Sequence, residues 1–368
     1  MSFASAKGCR SARNAKIVIT QAARGLIAVA IGLLTLDPAP SVGNSESTPL
    51  SSWVSTIHRD HPLAGTIWSV REGRKLTGDE LVEQLKPNEV VLLGEVHDNP
   101  DHHRLRAWLI GRLAREREGT AGSKAPAVVF EHIRADQQPI VTAFLASQDR
   151  GTAARLLERL DWSRSGWPAA EMFQPLFDVV LRHELPILAG NAPGNQVRQV
   201  AKQGLTAIPG DERVRLKLEQ QLEQPLKEAL IKEIEENHCG LLPHSAFAPM
   251  ALAQQYRDAH LADVLLIAQR QHGAAVLIAG NGHVRVDRAV PWHLRQRAPE
   301  LVTAVVSFVE VEAGREEPTD QIPRDPDGQP AVDYAWFTPK AEREDPCERM
   351  RRQMKGMNGG SPKHLSAQ

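Results

Sequence analysis

Val90-Val91-Leu92-Leu93 is apolar at every position and stops at Gly94, after which polar residues crowd in: Glu95, His97, Asp98, Asp101, His102 and His103. An unbroken apolar run of this length reads as a strand buried on both faces. Asn99 followed by Pro100 is a helix start, with Asn at the cap and Pro in the first turn. The unit is strand, charged loop, helix, and it recurs. Ala127–Phe130 runs into Glu131-His132, Leu185–Ala189 into Gly190-Asn191-Ala192-Pro193, and Ala275–Ala279 into Gly280-Asn281-Gly282-His283. The pattern predicts an α/β fold, a mainly parallel sheet flanked by helices. Its carboxyl ends then lie on one edge, where such sheets carry their sites. Glu95, His97, Glu131, Asn191 and His283 converge there in this reading.

Elsewhere the apolar spacing is helical. Thr77 with Glu80 forms a capping-box pattern for a short helix to Leu85. The helix from Pro100 carries Leu105, Trp108, Leu109 and Leu113 on one stripe. From Pro139 to His183 helices follow with breaks near Gly151 and Trp167-Pro168, and from Asn195 to Gln271 only helices are read. Glu212–Glu236 is dense in Leu, Lys and Glu, the composition of one long solvated helix. This block, residues 195–271, is an inserted all-helical cap over the sheet edge. His61–Trp68 reads as extended, and Leu301–Val309 and Tyr334–Phe337 as further strands. The resulting layout is a signal-peptide-like segment at 1–40, a flexible lead-in at 41–60, the α/β domain with its cap at 61–340, and a poorly ordered tail at 341–368.

The chain has 368 residues and a net charge of -1, which offers no basic field for nucleic acid. Arg10, Arg13, Lys16 and Arg24 precede an apolar run, Gly25–Leu34, that Asp37-Pro38 breaks. That order predicts export to the periplasm or cell envelope, with the mature chain beginning near Ala39 to Gly43. Left uncleaved, the same segment is a membrane anchor. Cys9 lies ahead of the run, leaving Cys239 and Cys347 either to form one disulfide or to remain two free thiols.

Carboxylate and imidazole together suit a metal ion or proton transfer. Glu95 and His97 are two positions apart, so on extended chain they leave on the same side. His102 and His103 are adjacent on a helix and point about a third of a turn apart; one faces the site and the other solvent. In Gly280-Asn281-Gly282-His283 the glycines permit a tight turn. Asp258 holds a ligand or orients His283. The metal set is therefore Glu95, His97, Glu131 and His283, supported by Asp98, Asn191, Asp258 and Asn281. No Gly-x-Ser-x-Gly elbow, strand-end Cys, His-Glu-x-x-His helix or full phosphate loop accompanies it.

Leu92–His103, Phe130-Glu131, Gly166-Trp167-Pro168, Asn191-Ala192-Pro193, Ala253-Gln254 with Asp258, and Ala279–His283 together resemble the ChaN-like haem-binding uptake proteins of the Tiki/TraB superfamily. The resemblance covers roughly His61 to Leu294 and Asp333 to Pro339. It implies an envelope-associated α/β protein with a helical subdomain that binds haem and takes part in iron acquisition; a haem or small-molecule ligand is the expected partner, and a dimer with a second copy of the chain is left open. The wider superfamily implies a metal-dependent peptidase, with Gly94–His97 and Gly280–His283 as its motifs and Glu95, His97 and His283 as catalytic residues. A non-catalytic interaction protein on the same scaffold is the third reading. Two positions depart from the family pattern. Phe173 stands where many relatives lead one to expect an iron-ligating Tyr, and Arg106 where Gln is expected. Among the candidates for an axial haem ligand, His102 and His103 come first, then Tyr256, and Tyr334 last.

Overall fold

The computed structural model describes residues 52–118, 125–147 and 151–358. The signal-like segment and most of the lead-in lie outside the described residues. Eight strands form one sheet: β1 (Ile67–Ser69), β2 (Arg74–Leu76), β3 (Val90–Glu95), β4 (Ala127–Arg134), β5 (Ile187–Asn191), β6 (Ala275–Gly280), β7 (Thr303–Glu310) and β8 (Tyr334–Thr338), in the order β2-β1-β8-β7-β3-β6-β4-β5. β8 through β5 run parallel; β1 and β2 add an antiparallel edge. Every apolar run read as a strand is one. β2, only three residues with two of them exposed, carries too little pattern to have been found.

Each face of the sheet is covered. α1 (Gly78–Leu85), capped by Thr77 and Glu80 as its sequence predicts, α2 (Pro100–Glu118), α3 (Gln138–Leu145), α4 (Ala153–Arg159) and α5 (Ala170–Arg182) belong to one side. Their Leu81, Leu105, Phe144, Leu156 and Phe177 pack with Val91, Leu93, Val128, Phe130 and Ile278 of the strands. The alternate positions Val90, Leu92, Val129, Leu277 and Ala279 pack on the other face against Leu261 and Leu265. Strands buried on both faces explain why the runs are apolar at every position rather than every second one.

The cap is helical as expected: α6 (Gly194–Gln203), α7 (Gly210–Leu216), α8 (Gln224–Asn237) and α9 (Phe247–His272). The long helix expected at Glu212–Glu236 is two helices. Lys217 turns left-handed (φ 51°) and ends α7. The break sends Leu218 into the cluster around Tyr256, and Leu222 into another with Leu230 and Phe247. In a continuous helix these leucines, four positions apart, would share one face rather than enter two separate clusters. α9 is shared, its first half in the cap and its second against the sheet. Beyond β6 come α10 (Asn281–Val284), α11 (Val290–Arg297), α12 (Pro318–Gln321) and α13 (Pro346–Asn358). No helix among the described residues is long and apolar enough to cross a membrane.

Two segments expected to be loose are tied down. The end of the lead-in donates Val54 N and Ser55 N to Asp101 (3.0 and 2.8 Å), in the first turn of α2. The start of the tail is held by Arg343, which pairs with Asp98 (2.8 Å) and Glu310 (2.5 Å). Cys347 of α13 is disulfide-bonded to Cys239 beyond α8, closing a separation of 108 residues. Such a loop restricts the unfolded chain and is worth about 2–4 kcal/mol. Reduction, or Cys347→Ser, is expected to lower the melting temperature by roughly 5–15 °C. A melt that does not respond to reductant means unpaired thiols.

Candidate functional site

Strand register decides which polar residues share a face. Glu95 pairs in register with Gly280, and Gly94 with Ala279, while Phe130 of β4 lies beside Ile278. Side chains alternate along a strand. Glu95 and His132 therefore continue the face of Leu93 and Phe130, toward α2 and α5, whereas Glu131 continues the face of Val129, toward α9. β4 also slips register against β5 between Phe130 and Arg134, and bulges of this kind re-aim side chains beside functional sites. The site consequently has two halves, one on each side of the sheet edge.

In the first half, Glu95 is the hub. Its Oε1 accepts from His97 Nδ1 (2.7 Å) and His132 Nε2 (2.9 Å). Its Oε2 is in contact with the Arg106 guanidinium, which also donates to His103 Nδ1 (2.7 Å). His103 Nε2 donates to the His97 carbonyl (2.9 Å). Glu95, His103, Arg106 and His132 are all buried. Burial holds these imidazoles neutral, His103 down to about 4 and His132 well below its ordinary value. His97 is lowered too, chiefly by burial, yet its side chain remains 33% exposed, and its Nε2 has no hydrogen-bond partner among the described residues. Trp167 packs against both His97 and His132 (4.8 and 4.6 Å between rings) and donates to the His132 carbonyl (3.1 Å). Gly166, at φ 90°, provides the turn that brings the indole in.

In the second half, Glu131 accepts from Gly280 N (2.8 Å), Arg257 (2.6 Å) and His283 Nε2 (3.1 Å). His283 Nδ1 donates to Asp258 (2.5 Å). Asp258, read as holding a ligand or orienting His283, lies against the His283 ring. Arg257 also donates to Asn191 (3.1 Å). Burial opposes charge on His283, but Glu131 and Asp258 on either side win and raise it to about 9. Glu131 is correspondingly held well below the carboxylate range despite its burial. The halves meet over Gly280. A Cβ there would stand 2.7 Å from His97 Nε2 and 3.7 Å from Glu131 Oε2.

The four residues read as one metal set are divided by this geometry. Glu95 and His97 cluster with His132, their ligand atoms all within 4.8 Å of one another, while Glu131 and His283 belong to the other half. Asn281 braces the edge, bonding Phe308 O (2.8 Å) and Ser307 (2.7 Å), and Asp98 holds Arg343. His102, expected to face either the site or solvent, is fully buried. Its Nδ1 accepts from Val96 N (3.0 Å), its Nε2 meets Thr338 Oγ1 (2.8 Å), and burial lowers it to about 3. Tyr256 lies in the cap core, its hydroxyl bonded to Gln196 (2.9 Å) and Glu212 (3.1 Å) and its pKa pushed up by burial. His132, Arg257 and Trp167 had no assigned role in the sequence reading. The signal for His132 was its place directly after Glu131; for Arg257, its place before Asp258.

The raised pKa of His283 has a definite consequence for stability. A histidine titrates near 6.5 when unfolded, so its folded-state proton contributes stability fully below that value, and the contribution is lost as pH rises through about 9. Melting temperature is expected to fall across this alkaline limb, and His283→Gln to flatten it. An unchanged limb in the variant places the titration elsewhere.

A family model described as haem-binding uptake, Tiki superfamily, ChaN, matches residues 81–294. No curated protein matches the sequence. Among solved structures, cofacial haem-bound ChaN of Campylobacter jejuni is similar at 18% identity and a TM-score of 0.58, covering 73% of this chain and 95% of that one. A mutant erythromycin esterase in its open conformation aligns over 73% of this chain and 95% of its own, at 14% identity and a TM-score of 0.43. With its family model matched over more than half its length, the chain belongs to the ChaN family of the Tiki superfamily.

Proposed function

We propose that this chain is an exported haem-binding protein of the cell envelope, serving haem or iron uptake, and that His97 supplies the iron ligand. One observation carries the choice of residue. His97 gives its Nδ1 hydrogen to Glu95 (2.7 Å) and keeps Nε2 unpartnered on a side chain one-third exposed. Metal-ligating imidazoles have this arrangement, a carboxylate fixing the tautomer behind the coordinating nitrogen. His102 and His103 have both ring nitrogens engaged, and the Tyr256 hydroxyl is bonded inside the cap. The donor set therefore fits haem through one imidazole. Bound haem would offer its iron to such an imidazole, with Glu95 setting the orientation of the His97 ring and Trp167 walling its flank. Export is supported by the basic-then-apolar order of the N-terminal segment and by the Cys239–Cys347 disulfide, which belongs to oxidising compartments.

Haemin titration is expected to give a Soret shift that His97→Ala abolishes, that Glu95→Gln weakens roughly tenfold or more, and that Tyr256→Phe leaves intact. No shift with the wild type would sink the haem reading; a shift indifferent to His97→Ala would move the ligand elsewhere. N-terminal sequencing of protein from the native host tests export, which a retained Met1 overturns.

A second reading, hydrolysis, is favoured by the pairing of a neutral imidazole with a charged one across Gly280. In this reading His97 acts as general base and His283 as general acid, supported by environments that drive the two imidazoles apart. Ester or peptide turnover lost in both His97→Ala and His283→Gln supports it. With neither a Soret shift nor turnover, the polar network is that of an interaction protein.

A further inference from the structure

We propose that the Arg106 guanidinium on Glu95 Oε2 supplies the positive charge that a divalent ion on Oε1 would otherwise bring, so that the Glu95–His97–His132 cluster is a latent metal site closed by an internal cation. Three observations meet in this cluster. The first is spacing. His97 Nδ1 and His132 Nε2 lie 2.7 and 2.9 Å from Glu95 Oε1 and 3.4 Å from each other. Atoms so arranged can all reach one ion at about 2.0–2.2 Å, and two imidazoles with a carboxylate suit zinc, cobalt or ferrous iron.

The second is the guanidinium. It touches Glu95 Oε2 from a fully buried position on α2. Burial lowers its pKa, but a guanidinium begins far above neutrality and here abuts a carboxylate, so it keeps its proton. Its Nε and Nη1 have no hydrogen-bond partner among the described residues. Two unpartnered buried donors are a cost that hydrogen bonding does not offset. What the residue brings to this place is its charge.

The third is the balance of the whole edge. Glu95 and Glu131 are buried, and each has a guanidinium against it, Arg106 on the one and Arg257 on the other. Both strand-end carboxylates thus already take a cation from the chain. A divalent ion added to the cluster leaves two positive charges out of water, which buried sites do not sustain without new partners. Removing Arg106 reverses that balance and leaves Glu95 and two imidazoles facing one point.

The test is a titration of tag-free full-length protein with Co2+ and Zn2+, read by calorimetry and by the visible absorption of bound Co2+. The wild type is expected to bind neither stoichiometrically. Arg106→Gln is expected to take up one equivalent, with the cobalt bands of a nitrogen- and oxygen-ligated ion, and to lose it when combined with His132→Ala. Arg106→Lys, which keeps the charge, is expected to bind none. A wild type that binds one equivalent and loses it on His132→Ala overturns the proposal. So does a cooperatively folding Arg106→Gln that gains nothing. Should Arg106→Gln not fold, Arg106→Met repeats that arm with an unbranched neutral chain, and the wild-type titration remains decisive against the proposal by itself. None of these readouts involves haem.

Discussion

Three carboxylates buried at one edge of a sheet are the constraint around which the rest of this molecule is arranged. A carboxylate out of water needs a counter-charge and hydrogen bonds at contact distance. Glu95 takes its cation from α2, and Glu131 takes one from α9 and a second from the turn after β6. Each cation thus comes from a helix or turn packed on the same face as the carboxylate it serves. The apolar packing of α2 and α9 fixes the height of Arg106 and Arg257 at the strand ends. Core and site are one structural problem: a helix shifted along the sheet would strand a charge.

Closeness at that edge depends on two missing side chains. A Cβ on Gly94 would run into Asn281 and Val284, and one on Gly280 into His97. Both glycines have ordinary negative φ, so their value is space rather than backbone freedom. At Gly94 the space lets α10 sit directly on the strand, which aims His283 back at Glu131. At Gly280 it lets the imidazole of one half reach over to the other. An alanine at either place would overpack a site with no slack, at a cost of about 1–3 kcal/mol.

The parallel sheet was legible because each of its core strands is buried on both faces and so reads as a continuous apolar run. Convergence of Glu95, His97, Glu131, Asn191 and His283 followed from strand direction alone. Their division into two halves did not. A run apolar on both sides carries no alternation, so nothing in it tells which face Glu95 takes relative to Glu131; that comes from register, a property of pairing. His102 and His103 show a related limit. Adjacent helix positions suggested one buried and one wet histidine, but the loop from Val96 to Asn99 folds back over the first turn of α2, and its Val96 N and His97 carbonyl bond one ring each. The break at Lys217 was hidden for yet another reason. Leu, Lys and Glu favour a helix throughout Glu212–Glu236, and only the pull of two separate apolar clusters on Leu218 and Leu222 interrupts it.

Phe173 and Arg106, the two positions at which the sequence reading expects another residue, both lie against His103. The Phe173 ring lies 4.1 Å from that of His103 and 4.7 Å from that of His132, and His103 Nδ1 accepts from Arg106. A phenol at 173 would bring a hydroxyl into this buried corner and need a partner there. Phenylalanine brings none, and Trp162 closes over it at 4.7 Å. With no hydroxyl from position 173, His103 Nδ1 takes its hydrogen bond from the guanidinium, whose charge at the same time satisfies Glu95. The two departures are consistent as a pair: an apolar ring seals the corner from water, and a cation inside it neutralises the carboxylate. The nitrogen of the first half without a hydrogen-bond partner among the described residues is then His97 Nε2, which lies over Gly280.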